Sequence, residues 1–338
     1  LAAVSAAFGL TSWASAYATE LWQWNLYGVV YGVTSAFYMY LAAPVLINAW
    51  FKKSAGLAIS ITAATLSILA AVASPIGQEL INQFGWQTAR AALSIVTTVL
   101  SVVLTVAFVR KSPTVMGLLP FGAGEQDDAA NQSAAPEPDE GATVAQAIKS
   151  PGLYLLILVA CIFVMCAAFF QQIPAFAAHG ALGASAGAMA VSIIMVGVVF
   201  KLVLGALNDK IGVKYTGIIA ASCGAIGILL AYIAGENVAL FYAGMVVFGG
   251  GYAGLTVIAP MLARAAFGSL NYSQIYSWVS TGIFIATAIS FLVYGMIYDT
   301  TGSFDLCFIL VIGMYVLAVV LVPITLAVSQ KAWKRSGK

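Results

Sequence analysis

Residues Val191–Lys214 read VSIIMVGVVFKLVLGALNDKIGVK. The fold turns on how this stretch is interpreted. An apolar run of membrane length carries one lysine, Lys201, and then meets a charged segment, G-A-L-N-D-K-I-G, at Gly205–Gly212. A lysine inside such a run costs about 2.5–3.5 kcal/mol on insertion scales, so it calls for a purpose. The charged segment reads as a tight turn that spaces Gly205, Asp209, Lys210 and Gly212 as G-x-x-x-D-K-x-G.

Working outward, the chain has 338 residues, 62% apolar and 8% charged. A soluble domain carries about 25% charged residues. The composition defines an integral membrane protein, with no segment that reads as a strand. A helical span needs about 20 apolar residues. Ten such runs can be marked, at roughly 1–19, 24–49, 56–79, 89–109, 153–178, 185–207, 214–234, 238–262, 274–298 and 304–328. Short connectors with Gly, Asn, Asp or Pro separate most of them. Residues 111–150 differ, holding E-Q-D-D, N-Q-S and P-E-P-D-E-G without an apolar period. They read as a polar, acidic linker. The expected organisation is a four-span bundle over 1–110, a linker over 111–150, a six-helix bundle over 151–330 and a basic tail over 331–338. The chain opens on Leu1-Ala2-Ala3, with no methionine and no basic n-region. It therefore reads as the interior of a membrane segment and not as a signal peptide.

Charge sets the expected orientation. Lys52, Lys53, Arg110, Lys111, Lys149, Lys210, Lys214, Arg264, Lys331, Lys334, Arg335 and Lys338 all fall on one side of the span pattern. The other side has Arg90 with Glu20, Glu79, Glu236, Asp299 and Asp305. The positive-inside rule places the linker and the C-terminus in the cytoplasm, in a multi-pass protein of the cell (inner) membrane.

Several residues are candidates for chemistry. Lys201 lies seven residues before Asn208, about 10 Å inside the end of its helix. It either snorkels to the headgroups or lines a water-filled cavity and binds an anion. Intramembrane charges usually face a pathway, which favours the second reading. The residue one turn back is Gly197, so no carboxylate pairs with Lys201 there. An anionic substrate would supply the missing charge. That favours a carrier which moves preferentially when loaded, the physical basis of exchange.

Tyr27, Tyr31, Thr34 and Tyr38 share one helix face. They are either packing with an interfacial anchor at Tyr27 or a cavity wall, with Tyr31 and Tyr38 deepest. Gln171 and Gln172 precede Pro174 in F-F-Q-Q-I-P. Amides in an apolar helix need partners, and the proline can kink the helix. Phe248 and Tyr252 flank three glycines in F-G-G-G-Y, one turn apart. The glycines would either open room for a ligand or simply allow close packing or bending. The four cysteines sit in apolar runs without metal-site spacing, and His179 is the sole histidine. No metal site, cofactor or disulfide framework is expected. The chain has no Ser/His/Asp set, H-E-x-x-H or P-loop, so an enzyme is not expected.

At this point the sequence resembles a known family. The loop Gly205–Gly212 is similar to the cytoplasmic loop motif of the major facilitator superfamily. W-F-K-K-S-A-G-L-A (Trp50–Ala58), G-W-Q-T-A (Gly85–Ala89) and M-G-L-L-P-F-G (Met116–Gly122) resemble the monocarboxylate porter and oxalate/formate antiporter branches. The resemblance covers essentially the whole chain. It implies a major facilitator fold with two six-helix halves, of which ten of twelve transmembrane helices, the third to the twelfth, are present here. It also implies that Lys201 stands where related carriers hold a substrate carboxylate with arginine, keeping the charge but not the fork. Gly197 replaces an aspartate used in proton coupling. N-Y-S-Q-I-Y-S-W-V (Asn271–Val279) ends on valine where the oxalate/formate branch has a second cation. Phe248 and Tyr252 match a pair of cavity aromatics, and Tyr40 matches a further aromatic. Gly205, Asp209, Lys210 and Gly212 would serve a cytoplasmic gate.

The expectation is a secondary transporter that moves a small organic monocarboxylate by alternating access, through anion exchange or ion-coupled symport. Its substrate site would comprise Lys201, Gln171, Gln172, Tyr31, Tyr38, Phe248 and Tyr252. Its partners would be the anion and the lipid bilayer, with no nucleic acid, and it would act as a monomer. Two rivals are a carrier for a neutral or amphipathic compound, with Lys201 structural, and a complete ten-helix membrane sensor. Uptake of labelled carboxylates separates the first. Five-plus-five symmetry would mark the second, and the linker after the fourth span argues against it.

Overall fold

A computed structural model of the chain describes residues 2–35, 46, 50, 55–110, 113–118, 121, 141–268 and 270–334. They form two compact units, Leu1–Ala135 and Pro136–Lys338.

The first unit holds α1 (Ala2–Ala14), α2 (Leu21–Ser35), α3 (Ala55–Phe84) and α4 (Trp86–Phe108). Helix α1 packs on α2 and α4, and α3 packs on α4. Small residues bring α1 and α4 together. Ala89, Ala91 and Ser94 are buried, and a side chain at Gly9 would overlap Thr98. The Ser12 and Ser94 hydroxyls share a hydrogen bond of 2.8 Å. This is the chemistry expected where lipid supplies no hydrophobic drive between helices and close approach with polar contacts replaces it. Much of the remaining surface is apolar and outward-facing, including Leu66, Val99, Val103 and Phe108.

The second unit begins with a strap. Gly141 bridges Gly268, and Ala142 N–H bonds to Phe267 O at 2.8 Å. The last part of the linker stretch then forms a short helix, α5 (Val144–Lys149). Its start is a capping box, with Thr143 N–H on Gln146 Oε1 at 2.9 Å and Gln146 N–H on Thr143 Oγ1 at 3.3 Å. Ser150 caps α6 (Pro151–Ala168), where Pro151 sits in the first turn and no amide hydrogen is missed. A 3₁₀ turn, Phe169–Gln172, leads into α7 (Ile173–His179). The interruption has a cause. Pro174 has no N–H for the helix ladder, and fully buried Phe169 pins the turn against Phe308 and Tyr294, with ring centroids at 4.9 and 5.3 Å.

Next come α8 (Ala184–Val196), α9 (Val198–Ile233), α10 (Val238–Phe267), α11 (Tyr272–Thr301) and α12 (Asp305–Lys334). Asn237 caps α10 through Leu240 N–H. Gly302, left-handed at φ 69°, ends α11. Helix α12 continues to Lys334, into the stretch the sequence marks as tail.

Helix α9 is not one rod. Gly197 lies against the Gly249 Cα, while Gly224 meets Gly251. A straight helix would carry positions 197 and 224 about 40 Å apart, yet both touch the Gly249–Gly251 triplet. The chain therefore reverses between them, at Gly212, whose φ of 78° and ψ of 162° are non-helical. This revises the reading of the charged segment. Asn208, Asp209 and Lys210 are helical, and the turn falls at the final glycine of the motif.

After the reversal, α9 and α10 run antiparallel with backbones in contact. A Cβ at Gly251 would collide with the Gly224 backbone, and one at Gly227 with the Phe248 backbone.

Six helical stretches among the described residues are long and apolar enough to cross a membrane: Trp86–Phe108, Pro151–His179, Ala184–Ile233, Val238–Phe267, Gln274–Thr301 and Asp305–Ser329. The third supplies two crossings because it reverses at Gly212. With α1, α2 and α3, each expected span has a helical counterpart.

Candidate functional site

In the second unit, Lys201 stands one turn after a break. Gly197, with ψ 3°, separates α8 from α9 and lets the two backbones of α8 and α10 approach. Lys201 is eleven residues before Gly212, about 16 Å at 1.5 Å per residue. Half of a hydrocarbon core is about 15 Å. The lysine thus lies deeper than its distance from Asn208 implied, because the helix runs on past that residue. It is half-buried and has no hydrogen bond or ion pair among the described residues.

Its neighbours follow from the geometry of α10. Before the reversal, α9 runs parallel to α10, and Gly197 faces Gly249. One turn further along both helices brings Lys201 to the level of Tyr252. The Phe200 ring, next in sequence to Lys201, covers Gly249 and Gly250. Phe170 meets Tyr252 edge-on at 5.2 Å. That contact ties the Phe169–Gln172 turn to the same helix. Gln171 is exposed and Gln172 half-buried, and neither side-chain amide has a partner among the described residues.

Phe248 has a different setting. It is fully buried, with Tyr315 and Tyr252 rings at 6.4 and 6.5 Å. The glycines beside it are filled by Phe200, Cys223, Gly224 and Tyr315, so they serve close helix packing and leave no open room. In α11, Tyr272 stacks on Tyr276 at 5.5 Å, and Val279 is fully buried.

At the turn, Asp209 and Lys210 are exposed and form no ion pair among the described residues. A Cβ at Gly205 or Gly212 would meet open space.

In the first unit, Tyr38 and Tyr40 lie outside the described residues. Tyr31 is 39% exposed and packs its ring on Phe8 at 4.2 Å. Thr34 turns its hydroxyl to Val30 O at 2.8 Å. Tyr27 and Tyr31 line a cleft of about 140 Å³ with Thr11, Ser15, Trp24 and Arg90. Sequence reasoning used Arg90 only as a charge on one side. The structure gives it a seat: its Nε donates to Ser15 Oγ at 2.8 Å, and its guanidinium lies over the Trp24 ring at 5.5 Å. An apolar groove of about 310 Å³ lies between α1 and α4, lined by residues such as Leu10, Trp13 and Ile95.

Apolar helices of membrane length, reversing at glycine and packed in pairs, define a multi-pass membrane protein. The sequence places it further: the family described as the Major Facilitator Superfamily matches residues 1–200 and again 178–337. The chain belongs to that superfamily, whose fold it shares; it is a transporter and not an enzyme. Among solved structures it is similar to a bacterial homologue of the human lysosomal transporter Spinster, in an inward-facing, unoccupied conformation. The TM-score is 0.57 at 13% identity, over 98% of this chain and 81% of that one. The transporter FucP, in its outward conformation, aligns with a TM-score of 0.48 at 14% identity, over 96% of this chain and 97% of that one. No curated protein matches the sequence.

Proposed function

We propose that this carrier moves a small organic monocarboxylate by alternating access, with Lys201 binding the carboxylate. The observation that carries this reading is a half-buried lysine, unpaired among the described residues, about 16 Å from the reversal at Gly212. At that depth, an ammonium without a counter-ion needs water or an anion to offset its insertion cost. Midplane sites are where secondary transporters hold their substrates. A single cation matches a single carboxylate, and buried Val279 offers no second charge. Tyr252, Gln171 and Gln172 would meet the rest of the substrate, and Phe248 would support Tyr252 from beneath. Tyr31 and Tyr38 are proposed to meet a carboxylate within the first unit. Gly197, in place of an acid, leaves no proton carrier one turn from Lys201, which favours exchange of one anion for another over proton symport. Gly205, Asp209, Lys210 and Gly212 would act at the gate, on the cytoplasmic face.

Vesicles loaded with unlabelled lactate and diluted into labelled lactate test the reading. Counterflow by the parent and its loss in K201Q are expected. Equal counterflow in K201Q would remove Lys201 from the site.

A further inference from the structure

We propose that Arg90 anchors a second small-carboxylate site, built within the first unit and separate from Lys201. It shares only the class of ligand with the function proposed above.

The site lies where α1 ends and α2 and α4 begin. Its cleft of about 140 Å³ has room for a carboxylate with a few carbons, since water occupies about 30 Å³ per molecule in the liquid. The guanidinium is held at two points. Nε donates to Ser15 Oγ, and Ser15, which is 2% exposed, donates in turn to Ser12 O at 2.7 Å. The guanidinium rests over Trp24, which lies beside Trp86 with centroids 6.3 Å apart. These contacts fix the plane and leave the Nη pair without a protein partner among the described residues. No carboxylate forms an ion pair with Arg90 among those residues either. A fixed, un-neutralised fork matches the two oxygens of a carboxylate, which accept parallel, charge-assisted bonds. The Tyr27 and Tyr31 side chains line the same cleft. Their rings would border a short aliphatic tail, while their hydroxyls are available to an oxygen.

An arginine that only anchored the helix at the membrane surface would rest on Trp24 in the same way. It would not prefer a carboxylate to another anion. Residue-resolved modification of the full chain in lipid nanodiscs by phenylglyoxal separates the two roles, with Arg110 and Arg264 as internal references. Acetate at four times its Kd is expected to slow modification of Arg90 about fivefold, leaving the references unchanged. Chloride or phosphate at matched ionic strength is expected to protect far less. S15A, which frees Nε, is expected to lose most of the protection. The proposal is overturned if acetate leaves the Arg90 rate unchanged, if chloride or phosphate protects as well as acetate, or if Arg90 does not react at all. Protection at Arg90 in K201Q keeps the two sites distinct. Lost counterflow with intact protection supports both proposals, whereas intact counterflow with intact protection removes Lys201 alone.

Discussion

Lys201 and Arg90 meet the same electrostatic problem by different means. Lys201 is a point charge on a flexible stem, set beside a helix break and with no protein partner among the described residues. Arg90 is a planar group held by a hydroxyl and an indole. The proposed lysine site would need charge more than shape. K201R is therefore expected to keep measurable counterflow. K201Q should lower kcat/KM by about 10- to 150-fold, the equivalent of a charged hydrogen bond at about 1.5–3 kcal/mol. Comparable losses in the two variants would show that the lysine's shape matters as much as its charge. Lys201 was legible in the sequence because a charge in an apolar run is costly wherever its side chain points. The setting of Arg90 was not, because Ser15 and Trp24 reach it from far along the chain and no spacing rule links them. Phe248 shows the reverse limit. Its one-turn spacing from Tyr252 was readable, but its burial depends on Gly227 and Tyr315, which belong to other helices.

Among the elements, the existence of each span followed from hydropathy, while ends and interruptions did not. The apolar run around Lys201 stops near Leu207, yet the helix continues to Gly212. Asn, Asp and Lys are tolerated in a helix, whereas a backbone at φ 78° is one that L side chains rarely adopt. The reversal therefore waits for the glycine. The same physics separates two classes of glycine by experiment. G251L forces a side chain into the Gly224 backbone and is expected to destabilise the protein by at least the ~1–3 kcal/mol of an overpacked core. Thermal melting of the purified protein, followed by size-exclusion, would show it. G205A places a methyl in open space, and alanine is the better helix former by ~0.5–1 kcal/mol. Its melting should be unchanged or slightly raised while counterflow slows, if that glycine serves the gate. Normal transport by G205A would take Gly205 out of the gating motif.

For the whole molecule, the distribution of basic residues predicts which ends face the cytoplasm. In a background without the native cysteines, S303C should react with a membrane-impermeant maleimide in intact cells, and K210C only after permeabilisation. The opposite pattern would invert the topology and place Lys210 and the reversal at Gly212 outside.

The strap that opens the second unit bears on how that unit is loaded. The chain entering from the linker meets α10 before it meets α6, because Gly141 and Ala142 are fastened to Phe267 and Gly268. The capping box at Thr143 then stiffens the next turn. Tension arriving along the linker is therefore delivered to the far end of α10, the helix that carries Tyr252 and the glycine triplet. Helix α10 becomes the anchor post of the connection, and α6 hangs from it.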